Sequence, residues 1–481
     1  DRAEAAWDEA IGAVRLDLPP AAGDLAKTYR AQLAYILANR DGPASQPGAR
    51  TYERSWIRDG ALTALALLGA GRNQDVADYI DWYAPYQYDN GKIPCVVDTR
   101  GPDPVPEHDS PGQFIFLIAS YHRFTGDASL VERHYDRVVA TADFMDALIA
   151  ERSTPEYRTA TGIKGACYGL VPESISHEGY SAKPMHSYWD GFFVIRGYRD
   201  AAYLARTLGK EQDARRFQQS LRRYRDAMYN SIRASMRIHG IDYVPGCVEL
   251  GDFDATSTSI GVYPIGELGR IPEPALTRTF ERYLEFFDAR REGTLEWGDY
   301  TPYELRIVAA LIIMGQPDRA HDLLDFFMAD RRPAGWRHWA EVVHNGVDTP
   351  RFIGDMPHTW VGSGFANSVR TMFAYEDETA GRLVLAAGVT EAWTREANGV
   401  GVTELPTWYG PLSYRLAADA KATRFTLEPG LRSPPRGIVL RVPGPRAIAS
   451  AVDQAGQSLE VDGRDVTVPA AGASVIIRYA D

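Results

Sequence analysis

From about Asp24 to Tyr375 the chain alternates between apolar and amphipathic segments. GALTALALLGAG (60–71) is apolar all round, and NQDVADYIDWYAPY (73–86), which follows it, carries one charged face. A helix apolar on every side needs neighbours on every side, whereas one with a charged face lies at a surface. Pairs of the two kinds recur, joined at Gly71, Gly126, Gly209, Gly269 and Gly315. Each junction puts glycine where a helix end favours a left-handed residue, then Asp, Asn, Glu or Pro where the next helix starts. A sixth apolar helix, from about His358 to Tyr375, closes the series. About six such pairs suit two concentric rings, so residues 1–378 are expected to form a mainly α domain, an (α/α)6 toroid. A superhelical solenoid of helix pairs is the alternative, because periodicity does not encode ring closure.

Past Tyr375 the helical period fades. GVGVTELPTWYGPLSYRLAADAKATRFTLEPG, GIVLRVPG, SLEVDGRDVTVPA and ASVIIRYA read as strands separated by turn residues. They predict a β-sandwich-like domain over 379–481. Its only tryptophans are Trp393 and Trp408, which favours a packing module over a carbohydrate-binding one.

The connections at the other end of the pairs are long, at about 87–108, 152–185, 232–254, 290–300 and 332–356. Loops of that length in a compact domain are functional or disordered, and their Trp, Tyr, His and Gly content disfavours disorder. Every apolar helix begins at the end of a long loop, the first included, and its start carries a polar cluster. These are Glu53–Asp59, Glu107–Pro111, His186–Asp190, Phe253–Ser257, Leu295–Tyr300 and Met356–Trp360. In a toroid all six converge on one end of the ring. The stretch from Gly165 to Arg199 is the densest, with Glu173, His177 and Glu178 running into an aromatic helix start.

Acids at helix starts have a plain explanation, since Asp59, Asp109, Asp254 and Asp299 can cap their helices, worth about 0.5–2 kcal/mol each. Capping does not account for Trp56, Trp189, Trp297, Trp336, Trp339 and Trp360 on the same face. Aromatic faces beside carboxylates suit pyranose rings, which stack their C–H faces and bond through their hydroxyls.

These clusters resemble those of the (α/α)6 glycoside hydrolases, glucoamylase-type enzymes first, with rhamnosidase- and trehalase-type barrels close behind. The likeness spans about residues 50–375 and lies in short motifs. SWIRDGALT is the most specific, and the resemblance implies that Arg58 and Asp59 grip a terminal sugar. It also places the general acid in the third long loop, best matched by Glu173 in VPESISHEGY. RHWAEVVHNG followed by MPHTWVGSGFANSV resembles the segment that carries the base, which points to Glu341. The paired acidic run expected around the acid is missing, since Ser174 and Ile175 follow Glu173, so Glu178 and Asp190 stay in contention. Trp56, Arg58, Asp59, His108, Asp109, Trp189, Asp190, Glu296, Trp297, Trp339, His358 and Trp360 are the expected sugar contacts.

The chemistry needs one protonated and one ionised carboxyl. The apolar setting of Glu173, among Leu170, Val171, Pro172 and Ile175, favours the neutral form, while the imidazoles near Glu341 favour charge. Enzymes of the resembled type usually invert, which needs carboxyls about 6.5–9.5 Å apart, and the expected action is from a non-reducing end. Three rivals are a glycoside phosphorylase, a polysaccharide lyase and a non-catalytic carbohydrate-binding scaffold.

Composition narrows the partners. A net charge of −12 argues against nucleic acid and anionic membranes, both of which need a basic face. No cofactor is expected. His177, His186, His338, His344 and His358 lack HExxH or CxxC company, so no metal is expected, and neither a phosphate loop nor a GxSxG elbow is present. Cys95, Cys167 and Cys247 admit one disulfide or three free thiols. No run of eighteen apolar residues occurs, which predicts a soluble protein, cytoplasmic or secreted with a leader removed.

Overall fold

A computed structural model describes residues 2–346, 354–469 and 472–480. Among them, six inner helices are Ile57–Leu68, Ser110–Thr125, Tyr188–Thr207, Ala255–Val262, Leu305–Ile313 and Thr359–Phe373. They alternate along the chain with six outer ones, Gly23–Ala38, Asn73–Tyr83, Ala128–Arg152, Glu211–His239, Ala275–Arg291 and Pro317–Ala329. The burial follows the polarity pattern. Every residue of Ile57–Leu68 is buried, whereas Asn73–Tyr83 buries only Val76, Ala77, Tyr79, Ile80 and Tyr83.

The last inner helix packs against the first, and Asn367 Nδ2 donates to the Leu62 carbonyl at 3.0 Å, so the ring is closed and a solenoid is ruled out. The five junction glycines all sit at φ between 66° and 81°, the left-handed turn that lets each inner helix double back into its outer partner. The outer helix Glu211–His239 runs past the expected start of its loop at 232, because Ile232 and Ser235 continue its buried stripe as far as Gly240.

Two sheets follow the ring. One has the strand order 15–17, 400–407, 410–418, 422–427, 474–479 and 448–453, and the other 461–462, 465–468, 438–441, 382–385 and 374–377. Arg15–Asp17, before the first outer helix, pairs with Gly401–Thr403, so this sheet is not built from the C-terminal part of the chain alone. Ion pairs tie the ring to the strands. Arg123 and Arg196 each hold both Asp200 and Glu378, at 2.7 and 2.9 Å, and Arg370 holds Glu376 at 2.7 Å.

At the opposite end stand the starts of the inner helices and the long connections. Two small sheets brace them: Ser55–Trp56 with Val96–Asp98 and Gly101–Pro102, and Asp299–Tyr300 with Val343–His344. All three cysteines are free and buried. No helix among the described residues is long and apolar enough to cross a membrane.

Candidate active site

The helix starts surround a cavity of about 220 Å³, lined by Pro47, Tyr52, Trp56, Arg58, Asp59, His177, Glu178, Gly179, Tyr303, Glu341, His358 and Trp360. Trp56 is fixed by its pairing with Val96, and the helix that starts at Ile57 places Arg58 and Asp59 in its first turn. Both are buried. Arg58 Nη1 donates to Glu107 at 2.5 Å, its Nε lies 3.6 Å from Asp59, and its guanidinium stands 5.0 Å from the Trp360 ring. Burial pushes the Asp59 carboxyl up to about 7, against the pull of Arg58 and with the help of the Glu178 and Glu341 charges. Trp360 Nε1–H has no acceptor among the described residues, a buried donor at the cavity wall.

Glu341 sits between Trp339, whose Nε1 donates to the Phe327 carbonyl at 2.7 Å, and the Val343–His344 strand. Both of its oxygens are used. Tyr303 donates to Oε1 at 2.7 Å and Tyr52 to Oε2 at 2.5 Å. Burial and the neighbouring Glu341 carboxylate raise the titration of both phenols, so each hydroxyl keeps the proton it donates. His358 Nε2 lies 3.9 Å from Oε1, and burial depresses this imidazole to about 3, so it is neutral.

Glu178 reaches the cavity from the third long loop. Its backbone is left-handed, at φ 65°, and its exposed carboxylate accepts from Trp56 Nε1 at 3.1 Å. Glu178 and Glu341 share surroundings, since the charges of both bear on Tyr52 and on Asp59.

Of the expected contacts, the structure brings together Trp56, Arg58, Asp59, Glu341, His358 and Trp360. Others lie behind the wall. Asp109, Trp189 and Asp190 are at most 1% exposed. Trp189 Nε1 donates to Asp109 at 2.7 Å, and Asp190 accepts from Ser174 at 2.5 Å and from Ser176 at 2.8 Å. Their polar atoms are spent inside the protein. Trp339 is fully buried core, and His108 is buried with its imidazole depressed to about 4 by desolvation. Exposed Glu296 and half-buried Trp297 are not among the cavity residues; Trp297 lies against Tyr300.

Glu173, the best-matched acid, also stays outside the cavity. Arg152 binds its carboxylate, and His186 stands 3.6 Å away. Partial burial opposes its ionisation, yet the Arg152 hydrogen bond brings the carboxyl below its ordinary value, the reverse of the neutral state its apolar neighbours suggested. Tyr52 and Tyr303 were not singled out. Each lies beside a polar cluster, in TYERSW and TPYEL, and that proximity was the available signal.

One group among the described residues gathers metal-type donors, Cys167, His186 and Glu249, their atoms within 4.8 Å of one another. It is off the cavity, and its hydrogen bonds are complete. Arg152 Nε donates to His186 Nε2 at 3.3 Å, which leaves Nδ1–H to donate to Glu249 at 2.5 Å, and the guanidinium would repel a cation.

No protein-family model and no curated protein matches this sequence. Solved structures do match in shape. An α-L-rhamnosidase from Dictyoglumus thermophilum superposes with a TM-score of 0.65 at 14% identity, over 97% of this chain and 50% of that one. A Streptomyces avermitilis α-L-rhamnosidase complexed with L-rhamnose gives 0.61 at 13%, over 97% and 42%. A glycosidase variant in complex with glucose gives 0.52 at 14%, over 73% of this chain and 97% of its own. This chain therefore spans about half the length of the rhamnosidases or less. At such identities the likeness is one of fold: the chain has the helical-toroid architecture that these glycosidases share.

Proposed function

We propose that this chain hydrolyses a glycosidic bond in the cavity, with Glu341 as general base and Glu178 as general acid. The observation that carries the reading is the setting of Glu341, whose two oxygens accept tyrosine hydroxyls at 2.5 and 2.7 Å on the wall that Glu178 also lines. A base that activates water must be ionised, and a carboxylate whose two oxygens each accept a hydroxyl is placed to serve as one.

Position separates the roles. Arg58 and Asp59 are each 4% exposed and form the closed end, suited to the hydroxyls of a terminal sugar. The leaving group of a sugar seated there points to the mouth, where Glu178 is exposed. Trp56 and Trp360 supply stacking faces. This supports exo action on a neutral sugar, and water activated by Glu341 on the face opposite the acid gives inversion.

The rhamnose and glucose bound by fold neighbours set the first probes. Aryl α-L-rhamnosides and α-D-glucosides, then natural oligosaccharides, are to be screened with product anomers followed by NMR. Release of sugar of inverted configuration without phosphate is expected. Turnover that requires phosphate would favour a phosphorylase, an unsaturated product a lyase, and binding without turnover a carbohydrate-binding scaffold.

A further inference from the structure

The loop that carries Glu178 is wound in an unusual way. Ser176 and Glu178 both adopt left-handed backbone, at φ 54° and 65°, a region that non-glycine residues occupy at a cost of about 1–3 kcal/mol each. Such a conformation persists only where its surroundings enforce it. Here the enforcing group is identifiable. Asp190, in the first turn of the third inner helix, takes the Ser174 hydroxyl on Oδ2 at 2.5 Å and the Ser176 hydroxyl on Oδ1 at 2.8 Å. Ser174 Oγ also accepts the Ser176 amide at 2.7 Å. The next residue, His177, stacks on Trp189 at 4.8 Å between ring centres and 21° between planes.

We infer that Asp190 is a positioning residue, whose carboxyl group clasps Ser174 and Ser176 and so turns Glu178 into the cavity. The inference rests on the reading of Glu178 as the acid. Asp190 itself does not act on substrate: it is fully buried, and each oxygen holds a serine. The two residues divide one task, with Glu178 giving the proton and Asp190 deciding where it is given.

A proton donor matters most when the leaving group is poor, which supplies a readout that general destabilisation would not move. The test uses one sugar in two forms, as methyl glycoside and as 2,4-dinitrophenyl glycoside, with the intact protein. Ser174→Ala/Ser176→Ala and Asp190→Asn should each lose about 10- to 100-fold in kcat on the methyl glycoside, the scale of a misplaced catalytic group. On the dinitrophenyl glycoside they should stay within about threefold of the parent, because that leaving group departs without a proton. Combined with Glu178→Gln, the serine pair should add no further loss.

Equal losses on both glycosides, or an additive loss in the combined variant, would overturn the clasp while leaving the acid assignment intact. A Glu178→Gln protein that keeps full turnover of the methyl glycoside would sink the acid assignment and the clasp with it. If Asp190→Asn does not fold, the serine pair, which keeps the helix start intact, decides the matter alone.

Discussion

The two ends of the toroid both bury charge, and they do so to opposite effect. At the floor, Glu378 lies among Arg123, Arg196 and Arg199; although burial disfavours its charge, the three guanidiniums bring its carboxyl down to about 2. At the crater, Asp59 has Arg58 beside it but also the Glu178 and Glu341 charges, and burial pushes it up to about 7. Burial is common to both. The difference is compensation: the floor pairs its acids with an excess of arginine, while the crater places four carboxyls, Asp59, Glu107, Glu178 and Glu341, around two cations, Arg58 and Arg306. A network in which each buried acid is answered by arginine ties the ring to the strands, and one with carboxyls left over is suited to receive a ligand or move a proton.

The largest expected break in this comparison comes from Glu341→Gln. It should lower kcat by about 10²- to 10⁴-fold while the melting temperature stays near that of the parent, because the change is isosteric and the lost charge serves chemistry. Steady-state kinetics and calorimetry on the same preparation check both halves. Asp200→Asn at the floor should do the converse. Two buried arginines lose a partner held at 2.7 Å, so unfolding free energy should fall by about 3–5 kcal/mol, with turnover per folded molecule retained.

A smaller effect has a definite sign. The folded value of Asp59, about 7, exceeds the ordinary 3.8, so the folded protein binds a proton that the unfolded chain releases. Its contribution to stability is fully present below about pH 4 and declines as pH rises through 7. Asp59→Asn removes that decline, and the variant should gain about 1–3 kcal/mol on the parent between pH 5 and pH 8 in denaturant melts. A constant difference across that range would show that the surroundings of Asp59 do not oppose its charge.

What was legible in the sequence was what is local. Apolar and amphipathic periods gave the paired helices, and the glycines at 71, 126, 209, 269 and 315 mark real left-handed junctions. SWIRDGALT placed Arg58 and Asp59 in the first turn of an inner helix, and Glu341 reaches the same cavity. The rest depended on distant partners. Arg15–Asp17 pairs with strand residues 401–403, at the other end of the chain. Glu173 and Glu178 lie five positions apart in one loop, and the reach of Arg152 to one and the left-handed turn at the other separate them. Trp189, Asp109 and Asp190 look like crater wall because they start helices, yet their bonds to one another and to Ser174 and Ser176 hold them behind it.

The claim at the centre of this account is that Glu178, and not Glu173, delivers the proton. Its most direct measurement is the turnover of one unactivated glycoside by Glu178→Gln and Glu173→Gln side by side. The account predicts a loss of about 10²-fold or more for Glu178→Gln and near-parental turnover for Glu173→Gln. A Glu173→Gln protein that loses activity while Glu178→Gln keeps it would contradict the account.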